Sequence, residues 1–199
     1  MKKIILTAFL AVSVSAYSQW NIPAASPRQS VEQQFSMSKI SLDYGRPAVK
    51  GRKVFGELVP FGQVWRAGAN SATKITFEQS IDFGGKVVPA GTYGVFVIPQ
   101  EKEWKIILNK DANQWGAYSY DERLNIIDIT VPTQKLTEAQ EVFEIALNPK
   151  DENNVDMVFK WDLTKVIVPL KTANPATVIK IVDKLKEIKQ IEKDATTKK

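Results

Sequence analysis

Neither cysteine nor histidine occurs anywhere in the 199 residues, and each absence removes whole classes of chemistry. Without histidine there is no Ser-His-Asp triad and no imidazole base titrating near neutrality. Without either residue the common zinc sites are out of reach, and no disulfide can staple the fold. Lipid anchoring at an N-terminal cleavage site needs a cysteine there, so that route is closed as well. Any catalysis would fall to carboxylates, Lys, Tyr or Ser. No phosphate-cradling glycine pattern sits between a strand-like and a helix-like run, so nucleotide binding has no support. No cofactor and no metal are expected.

Long apolar runs are also scarce. Ile4 to Val14 is apolar, preceded by Lys2 and Lys3 and followed by small residues. That order is the pattern of a cleavable signal peptide over residues 1–18, with cleavage after Ala16 or Ser18. The run is short for a bilayer span and no second one follows, so stable membrane insertion is not expected. The protein should be exported, to the periplasm or beyond the cell, as a domain held by its own core.

The charge is nearly featureless once it is partitioned. The formal net charge is +5, but residues 19–175 carry eighteen bases against eighteen acids. The excess lies in the first eighteen residues and in the Lys-rich end. A neutral body with a basic tail is a solvated surface, not a footprint for a polyanion, and nucleic acid is set aside.

What is present is mostly short alternation. Residues 19–34 are Pro-, Ser- and Gln-rich and read as a leader arm. Phe35 to Tyr44 reads as one strand with a bulge near Ser38–Lys39, because the apolar positions change parity there. A long irregular section follows, GRPAVKGRKVFGELVPFGQVWRAGAN. Such sections are uncommon in compact domains unless they carry function or short hidden elements. Then come strand-like runs: Thr73 to Glu78, Ile81 to Phe83, Lys86 to Val88, Tyr93 to Ile98, Trp104 to Leu108, Leu124 to Val131, Val142 to Leu147, Val155 to Asp162 and Lys165 to Leu170. Gly84-Gly85 supplies the positive φ of a tight hairpin, and Glu152–Asn154 reads as a second tip. About nine strands without helices between them predict an all-β fold, an antiparallel β-sandwich or barrel-like sandwich over 35–172. Asn174-Pro175 then opens a C-terminal amphipathic helix over 173–193, with Val178, Ile181, Leu185 and Ile188 on one stripe. The stripe is expected to pack on the sandwich or, as the sharper reading, to pair with another chain. Residues 194–199 read as a tail.

Two polar-aromatic segments carry the candidate chemistry. The first holds Arg46, Arg52, Trp65, Arg66 and Asn70; the second, NKDANQWGAYSYDE, holds Asn109, Trp115 and Tyr118. Flat rings beside amides and charges suit a glycan, a peptide or an anionic small ligand: stacking supplies area, and arginine forks grip carboxylate or phosphate. The same residues also serve as plugs and braces at the ends of β-sandwiches. A carboxylate-type hydrolase using Asp111, Asp121 and Glu122 is the enzymatic alternative, and an assembly module acting through the C-terminal helix is the third. The acidic run Asp151 to Asp156 offers calcium-type ligands but lacks the spacing of a dedicated loop.

Three stretches resemble a bacterial family known as domain of unknown function 2911. They are YGRPAVKGRKVFGELVPFGQVWRAGAN (Tyr44 to Asn70), VPAGTY (Val88 to Tyr93) and WKIILNKDANQWGAY (Trp104 to Tyr118). The resemblance spans roughly residues 26–170. It implies an exported bacterial protein without an assigned activity, and it carries over no catalytic residues.

Overall fold

The computed structural model describes residues 23–197; the leader read over residues 1–18 lies outside them. Nine antiparallel strands and one helix follow in order: β1 (Arg28–Phe35), β2 (Ser38–Gly45), β3 (Thr73–Phe77), β4 (Ile81–Phe83), β5 (Lys86–Val88), β6 (Gly91–Pro99), β7 (Glu103–Asn109), β8 (Asn125–Asp151), β9 (Asn154–Thr172) and α1 (Pro175–Thr197). Their order across the sheet is β1-β2-β3-β6-β7-β8-β9-β4-β5. The expected all-β architecture is present.

The strand β8 makes a sandwich out of one sheet. Its first part pairs with β7 through Pro132, and its later part pairs with β9, with register shifts between Lys135 and Gln140 and again between Gln140 and Glu144. Bulges of this kind bend a strand and increase its twist. The sheet therefore folds back over itself, and its two halves enclose one core. Rings meet across that core: Tyr44 on Phe143 at 5.8 Å, Trp104 on Phe159 at 6.0 Å and Phe77 on Phe83 at 6.2 Å.

Five boundaries differ from the sequence reading; one is the helix end, where α1 runs on to Thr197, into the stretch read as a tail, with Thr196 Oγ1 bonded back to Glu192 O. Part of the arm is a strand: β1 turns Gln29, Val31, Gln33 and Phe35 inward, and its glutamines sit at a sheet edge that tolerates them. The parity change near Ser38 is a hairpin turn rather than a bulge, with Ser36 at φ 54. The runs after Leu124 merge into β8 because the polar residues between them lie in its bend. Those after Val155 merge into β9, where Asp162 takes φ 51. The Gly84-Gly85 hairpin forms as expected, at φ 59 and 94.

Strand β6 reads as a continuous apolar run because it is covered on both faces. Tyr93, Val95 and Val97 face the main core; Phe96 joins Ala72 and Ile107 in a second cluster under Val64, Ala117 and Tyr120. Among the described residues no helix is long and apolar enough to cross a membrane.

Candidate functional site

The irregular section from Gly45 to Ala72 is a strap that closes the open side of the sandwich. After Gly45 it runs along the free edge of β8: Phe143 N–H donates to Pro47 O at 2.8 Å, and Val49 N–H to Glu141 O at 2.8 Å. Just ahead of it, the Tyr44 hydroxyl takes the N–H of Ile145 at 2.9 Å and lies 3.2 Å from that residue's carbonyl. An unpaired edge is a liability, and here it is filled by backbone and one phenol. The strap then crosses to β6, where Trp65 and Val97 exchange two backbone bonds of 2.8 Å.

Most of the first polar-aromatic segment is spent on this bracing. Arg46 donates through Nε to Phe143 O at 3.1 Å. Arg52 folds back on its own turn, to Val49 O at 2.9 Å and Ala48 O at 2.6 Å. Trp65 is buried, stacks on Trp161 at 5.7 Å and packs on Phe55, Trp104 and Phe143. Its indole N–H donates to Gly68 O at 3.0 Å. The corner after it is tight: Ala67 and Asn70 take φ 50 and 63, and Thr73 Oγ1 donates to Ala67 O at 2.6 Å. A Cβ on Gly45 would stand 2.2 Å from Ala69 O, so only glycine lets the two backbones approach.

Arg66 breaks the pattern. It projects opposite to Trp65, half-buried, and its Nε is enclosed with no hydrogen-bond partner. Burial pushes its pKa below the ordinary arginine value, and nearby Tyr118 partly restores it. Among the described residues no carboxylate pairs with it.

The second segment is held on the same side of β6. Asn109 is fully buried and works as a clamp, donating to Asp121 O at 2.9 Å and Asn125 Oδ1 at 2.8 Å while accepting the Asp111 N–H at 2.9 Å. Tyr120 bonds Asn125 and packs on Phe96. The loop so anchored pairs with the strap's end: Ala72 N–H donates to Gln114 O and Gly116 N–H to Asn70 O, both at 2.9 Å. Its rings point outward, Trp115 65% and Tyr118 89% exposed.

The eight residues singled out in the sequence therefore part company. Arg46, Arg52, Trp65 and Asn109 are satisfied inside the fold. Arg66 lies near exposed Tyr118, Trp115 is exposed on the same loop and pairs through its backbone with Ser71, and Asn70 donates to Ser26 O at 3.4 Å. Two of the three acids of the hydrolase reading are engaged locally, and Glu122 is exposed in the 3-10 turn. Asp111 accepts the Asn113 N–H, and Asp121 caps a short 3-10 turn while binding Arg123. The hydrogen bond from Arg123 holds the Asp121 carboxyl below its usual range, which suits a fixed anion and not a proton donor.

One cavity was illegible in the sequence. A cleft of about 620 Å³ opens at the bend of β8 and β9, floored by Phe55, Phe61, Trp104 and Leu163. Lys53, Lys135, Glu101 and Asp162 on its rim carry both signs of charge. Its residues come from four separated stretches, so no local pattern marks it.

Compared with known proteins, the chain matches one family profile, described as "Protein of unknown function (DUF2911)", over residues 26–170. No curated protein and no solved structure matches it.

Proposed function

We infer, from the premise that this chain belongs to the DUF2911 family of proteins of unknown function, that it is an exported binding module for an acidic glycan, gripped through Arg66, Trp115 and Tyr118. The observation that carries the reading is the half-buried Arg66 with an enclosed, unpartnered Nε near exposed Tyr118, on a loop that also exposes Trp115. A guanidinium taken partly out of water without a partner costs stability, and an anion seated on it restores the loss. A planar fork suits a carboxylate. Trp115 and Tyr118 offer flat faces on which a sugar ring can stack.

A ring-bearing ligand fits better than a peptide strand. Extended peptides bind by continuing a backbone ladder, and the N–H groups around this surface are spent: Ala72, Thr73 and Gly116 already donate to carbonyls. The export part of the reading rests on the Lys2-Lys3 and Ile4–Val14 pattern alone.

The test is a titration of the protein with uronic-acid oligosaccharides, their neutral counterparts and acidic peptides, followed by tryptophan fluorescence. Binding of the acidic glycans is expected, weakened at least tenfold in Arg66→Met and in Trp115→Ala. If neutral glycans bind equally well, or Arg66→Met binds as the wild type does, the reading fails.

A further inference from the structure

The helix α1 leaves the sandwich with its apolar stripe uncovered. Only its first turns touch the body, where Val178, Ile179 and Val182 border a groove of about 350 Å³ against Ser36, Met37, Glu152 and Asn153 at two hairpin tips. Outside that groove Ile181, Leu185, Ile188 and Ile191 are 42, 47, 51 and 67% exposed. A helix of 23 residues is about 34 Å long at 1.5 Å per residue. Helices without a packed face are marginal in water, so this one calls for a partner.

We propose that the partner is a second copy of this chain, its α1 laid antiparallel along this one so that the stripe of Val178, Ile181, Leu185 and Ile188 on each helix packs on the same stripe of the other. Two observations select this occupant. Val178, Ile181, Leu185 and Ile188 recur at three- and four-residue spacings on one helix face, and the last three are exposed, so one stripe complements itself as an isologous dimer requires. Charge sets the direction. From Pro175 to Lys186 the helix carries three lysines and one aspartate; from Glu187 to Thr197 it carries three carboxylates and two lysines. Antiparallel pairing lays the basic half on the acidic half and opposes the helix dipoles. Parallel pairing would set basic half beside basic half and bring Glu192 against Glu192. The mixed sign of the polar face also disfavours an anionic membrane surface, which draws uniformly basic helices. The two sandwiches then sit at opposite ends of the pair and do not collide.

Sedimentation velocity over a concentration series tests this in the whole protein. The wild type should pass from monomer to dimer, and Leu185→Glu with Ile188→Glu should stay monomeric throughout. Both positions are exposed and glutamate is a good helix former, so near-ultraviolet dichroism of the core tryptophans should not change. Direction is read from one spin label at Asp194→Cys, in a chain with no other thiol. Antiparallel helices crossing near Leu185 hold the two labels on the order of 25 Å apart, whereas parallel ones bring them within about 10 Å. A wild type monomeric at every concentration, a dimer indifferent to the two glutamates, a short label distance, or a stripe that binds anionic vesicles instead would each overturn the proposal.

Discussion

At the scale of single residues, neighbours in sequence have opposite duties. Trp65 and Arg66 serve opposite faces, one packed into a ring cluster and one near exposed Tyr118. Trp65→Ala should cost about 3–5 kcal/mol in urea unfolding, the usual loss for a large buried aromatic. Arg66→Met should cost nothing or raise stability slightly, because it removes a buried donor that has no acceptor. Gly45→Ala should destabilise by more than about 2 kcal/mol, since its Cβ would meet a backbone oxygen at 2.2 Å, inside contact distance. A tolerated Gly45→Ala would mean that the strap and β2 can separate without loss.

The sequence could say that these residues were chemically elaborate, but not which of them faced inward. In a regular strand, parity assigns a side chain to a face. In an irregular strap the assignment depends on which distant strand supplies the hydrogen bonds, and Trp65 faces the core only because Val97 pairs with it.

At the scale of elements, edge covering dominates. The Tyr44 hydroxyl serves the N–H of Ile145, which points away from the β9 partner. Tyr44→Phe keeps the ring and removes the acceptor, so it should cost about 1–3 kcal/mol, the penalty for a buried donor left unpaired. The amide of Ile145 should then exchange faster in hydrogen-exchange NMR than that of Phe159 opposite. Equal protection in wild type and Tyr44→Phe would show that water already reaches this edge. Elements with strong local signals, such as the Gly84-Gly85 hairpin and β7, were plain in the sequence. β1 was hidden by its glutamines, and the unity of β8 by the polar residues of its bend. In both cases tertiary position outweighs local composition.

At the scale of the whole molecule, the missing histidine shapes the pH response. Hydrogen bonds from Lys105 and then Lys86 hold Asp128 below the ordinary aspartate value, with burial working against them. At Asp43 burial raises the pKa, but hydrogen bonds from Arg28 and Ser30 outweigh it and leave the carboxyl lowered. A lowered folded pKa gives stability that is present above the unfolded value and lost as pH falls through the folded one. Both carboxylates are substantially exposed, so each contribution is small. At the alkaline end, burial raises the Tyr44 pKa, and that stability is lost as pH climbs through the raised value. Stability should be level from about pH 5.5 to 8 and fall below about pH 4, near the ordinary carboxylate range. A transition near pH 6.5 in thermal melts would contradict it.

The strap braces the sandwich with Arg46 and Arg52 and leaves the Arg66 Nε unpartnered, which we propose holds an anion. Arginine Nε–H correlations in ¹⁵N NMR test it directly, because the chain holds only five arginines: Arg28, Arg46, Arg52, Arg66 and Arg123. On titration with an acidic oligosaccharide, the Arg66 signal should move and sharpen while those of Arg46 and Arg52, already bonded to carbonyls, stay in place. An Arg66 signal unmoved by every acidic glycan, or already protected from exchange in the free protein, would contradict the account.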